Sequence, residues 1–396
     1  MKEGWKKNTI GEIAFFQSGS RPKGGVGMIK EGVLSLGGEH IGTDGYVSIS
    51  TPKYVSLDYY TNNPKGHIEG NDILLCKDGA LTGKVAIVRK ELKGVKAMIN
   101  EHVFIIRSKL LLQKYLYYFL FSPNGQIQLK SRISGAAQGG LNGANLKTVS
   151  IPYPIKIEAQ QRIVEELDLL SSIIEKKEEQ LKELDNLAQS IFYDMFGDPV
   201  TNEKGWEKKK IGELASVKTG PFGSMLHKED YISKGIPLVN PIHIKDFHIV
   251  ADMDFTISDE KAEELNKYIL QKDDVVFARR GDIGRCAVVS EEENGYLCGT
   301  GSLFVRFIVE VASTYIMYII RSSSFTKELI SNAKGATMLN LNSSIIENLW
   351  LPLPPISLQQ QFASKIETIE QQKELVKQSI KEVETLFNSR MDYYFN

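Results

Sequence analysis

The sequence predicts an α+β protein: two tandem mixed α/β domains separated by two long helices that form an antiparallel coiled coil, pseudo-two-fold symmetric. Three observations predict it. The chain repeats itself: "WKKNTIGEIAFFQSG" at Trp5 returns as "WEKKKIGELASVKTG" at Trp206, and "GNDILLCKDGALTGKVAIV" at Gly70 returns as "KDDVVFARRGDIGRCAVV" at Lys272. "YLYYFLFS" at Tyr115 returns as "YIMYIIRS" at Tyr315, and the glycine-rich stretch from Ser134 to "IPYP" returns from Ala333 to "LPLP". Within each copy, short β-branched runs alternate with turn glycines. After each copy comes a tail whose apolar residues recur at 4-3 spacing.

The first domain spans residues 1–157. "DILLCKDG", "GKVAIV" and "HVFIIR" read as strands, and "LLLQKYLYYFLFS" as an amphipathic helix whose Tyr and Leu stripe is core. Residues 158–197 form the central helix. Its 4-3 positions are Ile163, Leu167, Leu170, Ile174, Lys177, Leu181, Leu184, Ala188, Ile191 and Met195, nine of ten apolar or small. The second domain, 198–357, repeats the pattern with "DVVFARRG", "CAVV", "LFVRF" and the helix "VASTYIMYIIRSS". Residues 358–396 form the last helix, with Phe362, Ile366, Ile369, Lys373, Val376, Ile380, Val383, Phe387, Arg390 and Tyr394 at the same spacing; Lys373 and Arg390 are the polar exceptions. The first helix leads into the second domain and the last helix starts from it, so the pair runs antiparallel. At 1.5 Å per residue each is roughly 55 Å long, which brings the end of the last helix back toward Met1 in a nearly circular chain.

The joint "LPLPPISLQQQF" (Leu351–Phe362) stops the helix from running back into the domain, because Pro354 and Pro355 hold their predecessors extended. Ser357 and Gln360 have the S-x-x-Q spacing of a capping box, and the glutamine run reads as an exposed first turn.

Charge divides unevenly. Residues 1–157 carry 21 Lys and Arg against 11 Asp and Glu, whereas residues 158–197 carry 4 against 10, residues 198–357 carry 18 against 22, and the last helix 5 against 6. A basic first domain favours a polyanionic partner; the second has acidic runs at Asp252–Glu264 and Glu291–Glu293 that read as solvated faces. No apolar run is long enough to span a membrane, and the start lacks a signal-peptide pattern. Cys76, Cys286 and Cys298 have no CxxC spacing and read as core or strand residues of a cytoplasmic protein.

Catalytic motifs are missing. "NNPKG" (Asn62–Gly66) and "NPIH" (Asn240–His243) fall short of an Asp/Asn-Pro-Pro-aromatic adenine-methylation motif. "GALTGKV" (Gly79–Val85) is one residue short of a phosphate loop, and its repeat partner "GDIGRC" keeps only the glycines, so both read as tight strand–turn–strand connections. The six histidines have no metal spacing.

The ordered set "GPFGS…L…DY…GIPLVN" (Gly220–Asn240), "DVVFARRGDIGR" (Asp274–Arg285) and "LPLPPISLQQQF", inside a duplicated unit with two coiled-coil tails, resembles the specificity subunit of type I restriction-modification systems. The resemblance covers essentially the whole chain and is looser in the first unit, where "SGSRPKGG" (Ser18–Gly25) stands for the glycine-rich start. It implies that each globular unit is a target recognition domain reading one half of a bipartite site on double-stranded DNA. It also implies that the helices set the gap and dock two methyltransferase (modification) subunits, with motor-nuclease (restriction) subunits joining to make the restricting enzyme. The chain itself would be non-catalytic and hold no cofactor, S-adenosylmethionine being expected in the methyltransferase subunits. Because the two domains differ in sequence, the half-sites should differ, at a spacing fixed by a rigid spacer.

Arg suits guanine, Asn and Gln suit adenine, and Lys or Ser suits phosphate. On that chemistry the candidate DNA contacts of the first unit are Ser20, Arg21, Lys23, Lys77, Lys84, Arg132, Gln138 and Asn142. Those of the second are Ser224, His227, Lys228, Asn240, His243, Arg279, Arg280, Arg285, Lys334 and Asn340, with Asp282 placed to hold one arginine of the Arg279–Arg280 pair. Two other classes fit parts of the sequence. A dumbbell-shaped coiled-coil scaffold binding proteins would use the acidic second half and the acidic first helix, and a self-contained DNA methyltransferase fused to a recognition domain would need the motifs that are missing.

Overall fold

Strand alternation in "DILLC" serves two cores at once. In the computed structural model, which describes residues 3–22, 25, 29–89, 92, 94–134, 139–333 and 340–396, the chain divides into one unit of residues 1–179 with 377–396 and another of residues 180–376. The first unit is built on a four-stranded antiparallel sheet in the order Ala14–Ser18, Val103–Ser108, Ile73–Cys76, Val85–Ile87. Successive side chains leave opposite faces of a strand. Ile73, Leu75, Phe104 and Ile106 therefore join one buried cluster with the helix Gln113–Phe121, while Leu74, Cys76, Val103 and Ile105 join another with Leu36 and Ile99. A three-stranded layer (Tyr54–Val55, Val33–Leu36, Ala97–Ile99) carries the second cluster. Trp5–Thr9 pairs antiparallel with Ser150–Pro154, so both ends of the domain close side by side.

The second unit repeats this frame. Its four-stranded sheet runs Ala215–Thr219, Ser302–Phe307, Val275–Ala278, Cys286–Val288, and Lys208–Lys210 pairs with Trp350–Pro352. The hairpin expected at "GDIGRC" is the Val275–Ala278/Cys286–Val288 pair, with Gly281 and Gly284 at positive φ. Shared polar anchors recur. Arg107 grips Asp72 at 2.6 and 2.7 Å, and Arg306 grips Asp274 at 2.8 and 2.6 Å. The Tyr115 hydroxyl donates to the Pro152 carbonyl and the Tyr315 hydroxyl to that of Pro352. All three cysteines are buried and free, and burial pushes the Cys286 thiol up to about 12, so they behave as apolar core.

The two long helices, Ile157–Phe196 and Ile356–Phe395, each run unbroken for 40 residues. Within the first unit the start of one packs against the end of the other: Ile163, Leu167 and Leu170 share a core with Phe387, Met391 and Phe395. Within the second unit Phe192 and Phe196 pack on Phe362, again end against start. Both pairings are antiparallel. The 4-3 register drifts in each helix, because a straight helix turns every 3.6 residues rather than 3.5. Phe192 and Phe196 are buried where Ile191 and Met195 were expected, and Met391 and Phe395 take the place of Arg390 and Tyr394. The displaced Arg390 pairs with Glu166 beside Tyr394, and its guanidinium holds the Glu166 carboxyl below the usual range.

The joint differs from the capping box expected of it. The helix begins at Ile356, one residue before Ser357; the Pro355 carbonyl accepts from the Leu358 and Gln359 amides, and Ser357 is exposed in the first turn. The glutamines are not all exposed either. Gln359 is 2% exposed, donates to the Pro354 carbonyl at 2.8 Å and accepts from the Ala312 amide at 3.1 Å. Gln160 makes the same two bonds, to Pro154 at 2.9 Å and from Leu112 at 3.0 Å. Each glutamine thus ties the exit strand to the N-terminus of the domain helix, satisfying a donor that the helix leaves open.

Candidate nucleic-acid interface

In the first unit four loops meet at one end of the four-stranded sheet. Gly19 makes this possible: a Cβ there would lie 2.1 Å from the Ile99 carbonyl oxygen. The Ser18 hydroxyl donates to the Glu101 carbonyl and receives the Lys77 ammonium at 3.0 Å. The Lys77 amide bonds the His102 carbonyl, and its own carbonyl accepts from Leu141 at 2.6 Å. Around this seam sits a charged rim. Arg21 reaches Glu101 at 3.4 Å, while His102 places Nδ1 2.5 Å from Asp78 and Nε2 3.3 Å from Glu101. Ser20 accepts from Tyr59 and Asn63, and Lys84 lies half-buried on the return of the hairpin.

The second unit assembles the same seam from different side chains. A Cβ on Gly220 would lie 2.0 Å from the Gly299 carbonyl oxygen. The Arg279 amide bonds the Gly301 carbonyl, and the Arg279 carbonyl accepts from Leu341 at 2.9 Å. Asn340 Oδ1 accepts from Arg279 Nε at 3.1 Å and lies 3.4 Å from Arg280 Nε. The Asn240 side chain accepts from Gly301, and Arg285 donates to the Pro241 carbonyl. Asp282 holds Arg285, at 2.9 Å, and neither member of the Arg279–Arg280 pair.

Several expected contacts are engaged by the fold itself. Arg279 is 7% exposed, and burial, with the Arg280 charge behind it, pushes its guanidinium pKa down; Arg280 alone of the pair is exposed. Both lie just past the strand Val275–Ala278, and both Nε atoms reach Asn340 Oδ1, but Arg279 is covered by the fold and Arg280 is not. His243 is buried, with Nδ1 2.6 Å from the Leu238 carbonyl oxygen. Arg132 is tied to the Gln128 carbonyl and to Thr148. Asn142 caps the helix Gly143–Lys147, and its repeat partner Asn342 caps Ser343–Glu347. Ser224, His227 and Lys228 are exposed on the segment that enters the short turn Lys228–Asp230, and no hydrogen bond among the described residues ties their side chains to the rim. Lys23, Gln138 and Lys334 lie outside the described residues. Asp78, Glu101 and His102 were not among the expected contacts, although aligning the repeats sets Asp78 beside Arg280.

One frame carrying two differently charged rims defines a duplicated binding module. The type I restriction modification DNA specificity domain matches residues 2–186 and again residues 203–385, and the chain belongs to that family. The type I restriction enzyme MjaIX specificity subunit of Methanocaldococcus jannaschii is 26% identical over 322 residues, 77% of this chain and 71% of the relative. The MjaVIII specificity subunit of the same organism is 22% identical over 399 residues, 96% and 90% of the two chains. The S subunit of a type I restriction-modification system from M. genitalium shares the fold at a TM-score of 0.55 and 14% identity, covering 100% of this chain and 98% of that one. A chain from work on complex assembly and conformational transition of the type I R-M system shares it at 0.59 and 17%, with the same coverage. Among the described residues no helix is long and apolar enough to cross a membrane, and no acidic, histidine or cysteine cluster is arranged to hold a metal.

Proposed function

We propose that this chain is the sequence-reading subunit of a type I restriction-modification complex, each unit recognising one half of a bipartite, asymmetric DNA site. The observation that carries the reading is the conserved seam with a changed rim: both units close the same loops by the same backbone bonds, yet one presents Arg21, Asp78, Glu101 and His102 and the other Arg280, Asn340 and Arg285. A frame held constant under variable side chains suits recognition of two different sequences. The long helices set the spacing between half-sites and offer surface to two methyltransferase subunits, which bind S-adenosylmethionine and methylate adenine; restriction subunits add to that core. The chain contributes recognition and no catalytic group. Of the expected contacts, Ser20, Arg21, Arg280, Arg285 and Asn340 hold positions on or beside the rim suited to DNA, Lys77 supports it from within, and exposed Lys228 suits phosphate. The test is to co-express the chain with its methyltransferase and map methylated adenines genome-wide. The expected result is one asymmetric bipartite motif with a fixed gap, and binding that weakens steeply with salt. A complex that binds all DNA alike, or a chain that binds only proteins, would refute it.

A further inference from the structure

Two positions that the fold makes equivalent carry opposite charge. Asp78 forms an isolated antiparallel bridge with Gly140, and Arg280 forms the same bridge with Asn340. The residues just before them confirm the register: the Lys77 amide bonds the His102 carbonyl at 2.9 Å and the Arg279 amide bonds that of Gly301 at 3.1 Å. Asp78 is thus the counterpart of Arg280, and His102 that of Gly301.

The two side chains are positioned for opposite partners. In the first unit His102 Nδ1 takes Asp78 Oδ1 at 2.5 Å, and Nε2 is steadied by Glu101 at 3.3 Å. Oδ2 of Asp78 has no partner among the described residues, and the side chain is 39% exposed. In the second unit Asn340 sits 3.4 Å from Nε of the exposed Arg280, and neither terminal guanidinium nitrogen has a partner among the described residues. A carboxylate only accepts hydrogen bonds and a guanidinium only donates them. In the major groove guanine presents two acceptors, whereas cytosine and adenine present exocyclic amino donors.

We propose that residues 78 and 280 are equivalent base-reading positions, Arg280 addressing guanine and Asp78 an exocyclic amino group, cytosine N4 or adenine N6. His102 is a positioning residue that fixes the carboxylate. This inference rests on the reading of the chain as a DNA-specificity subunit.

The experiment compares methylation motifs of the assembled methyltransferase complex carrying wild-type chain, Asp78→Asn, His102→Ala or Arg280→Gln. Asp78→Asn is expected to lose discrimination at a single position of the first half-site, with the second half-site unchanged. The identity of that base, C or A, separates the two amino sources. His102→Ala is expected to weaken discrimination at the same position. Arg280→Gln is expected to relax one guanine of the second half-site, on the order of 10-fold to 100-fold for a bidentate contact. Should Asp78→Asn fail to assemble, Asp78→Ser removes the same carboxylate with a smaller side chain. Unchanged motifs, or equal weakening on every sequence, would overturn the inference while leaving the specificity reading intact. A wild-type complex with no bipartite motif would instead overturn that reading.

Discussion

Lys373 should make the second unit sensitive to acid through its partner Glu370. Lys373 occupies a seam position of the last helix, its side chain 7% exposed, and is held by Asp185 at 2.9 Å and Glu370 at 3.1 Å. Glu370 also faces His248, 3.6 Å away on the short hairpin Ile244–Lys245/His248–Ile249. Burial pushes the Glu370 carboxyl up, but the contacts with His248 and Lys373 outweigh it and bring its pKa from 4.5 to about 2. A depressed carboxylate stabilises the fold above its ordinary pKa, and that contribution is lost as pH falls through the folded value. At 1.36 kcal/mol per unit, the shift is worth about 3 kcal/mol at pH 7 and about 1.5 kcal/mol at pH 3. The perturbation is Glu370→Gln, and the assay is urea unfolding followed by the fluorescence of Trp206 and Trp350, both in this unit. The variant should trail the wild type by about 3 kcal/mol at pH 7, with the gap halving by pH 3. A gap below about 1 kcal/mol at pH 7, or one that does not narrow in acid, would refute the electrostatic account and leave Glu370 as packing alone.

Gln359→Ala should cost about 2 kcal/mol in the same unfolding assay, since it leaves the Pro354 carbonyl and the Ala312 amide without their buried partner; Ser357→Ala should stay within about 0.5 kcal/mol, because the hydroxyl is exposed inside the first turn. Equal losses in the two variants would restore Ser357 as the cap. A circular permutant beginning at Lys204, with Asn396 fused to Met1, should fold and keep its methylation motif. Phe395 and Trp5 pack on one core, and Trp206 still reaches the Phe196 carbonyl across the new break; loss of cooperative unfolding in the permutant would count against that arrangement.

The duplication, the two long helices and their antiparallel pairing were legible because each rests on a periodicity that burial enforces. The drift at Phe192 and Met391 was not, because a strict 4-3 count imposes the supercoiled period on stretches that pack at 4-4 spacing. Gln359, expected in an exposed first turn, is buried for another reason, and Gln160 repeats it. A glutamine in a polar run looks solvated, and only the approach of a second helix N-terminus, 48 residues away in one unit and 47 in the other, gives its amide two buried partners.

The rim is not purely basic. Lys77 and Arg279 were expected as contacts because Lys suits phosphate and Arg suits guanine. The fold engages both, Lys77 with the Ser18 hydroxyl and Arg279 with Asn340. Their neighbours on the rim are one cation, the expected Arg280, and one carboxylate, Asp78, which donor chemistry alone does not suggest. Yet sequence is read by matching donors to acceptors on base edges, so an anion on a basic domain is informative where another lysine is not. The net charge of 1–157 bears on attraction to the polyanion as a whole. Discrimination between half-sites requires residues that differ between the units at fixed backbone positions, and Asp78 against Arg280 is such a difference.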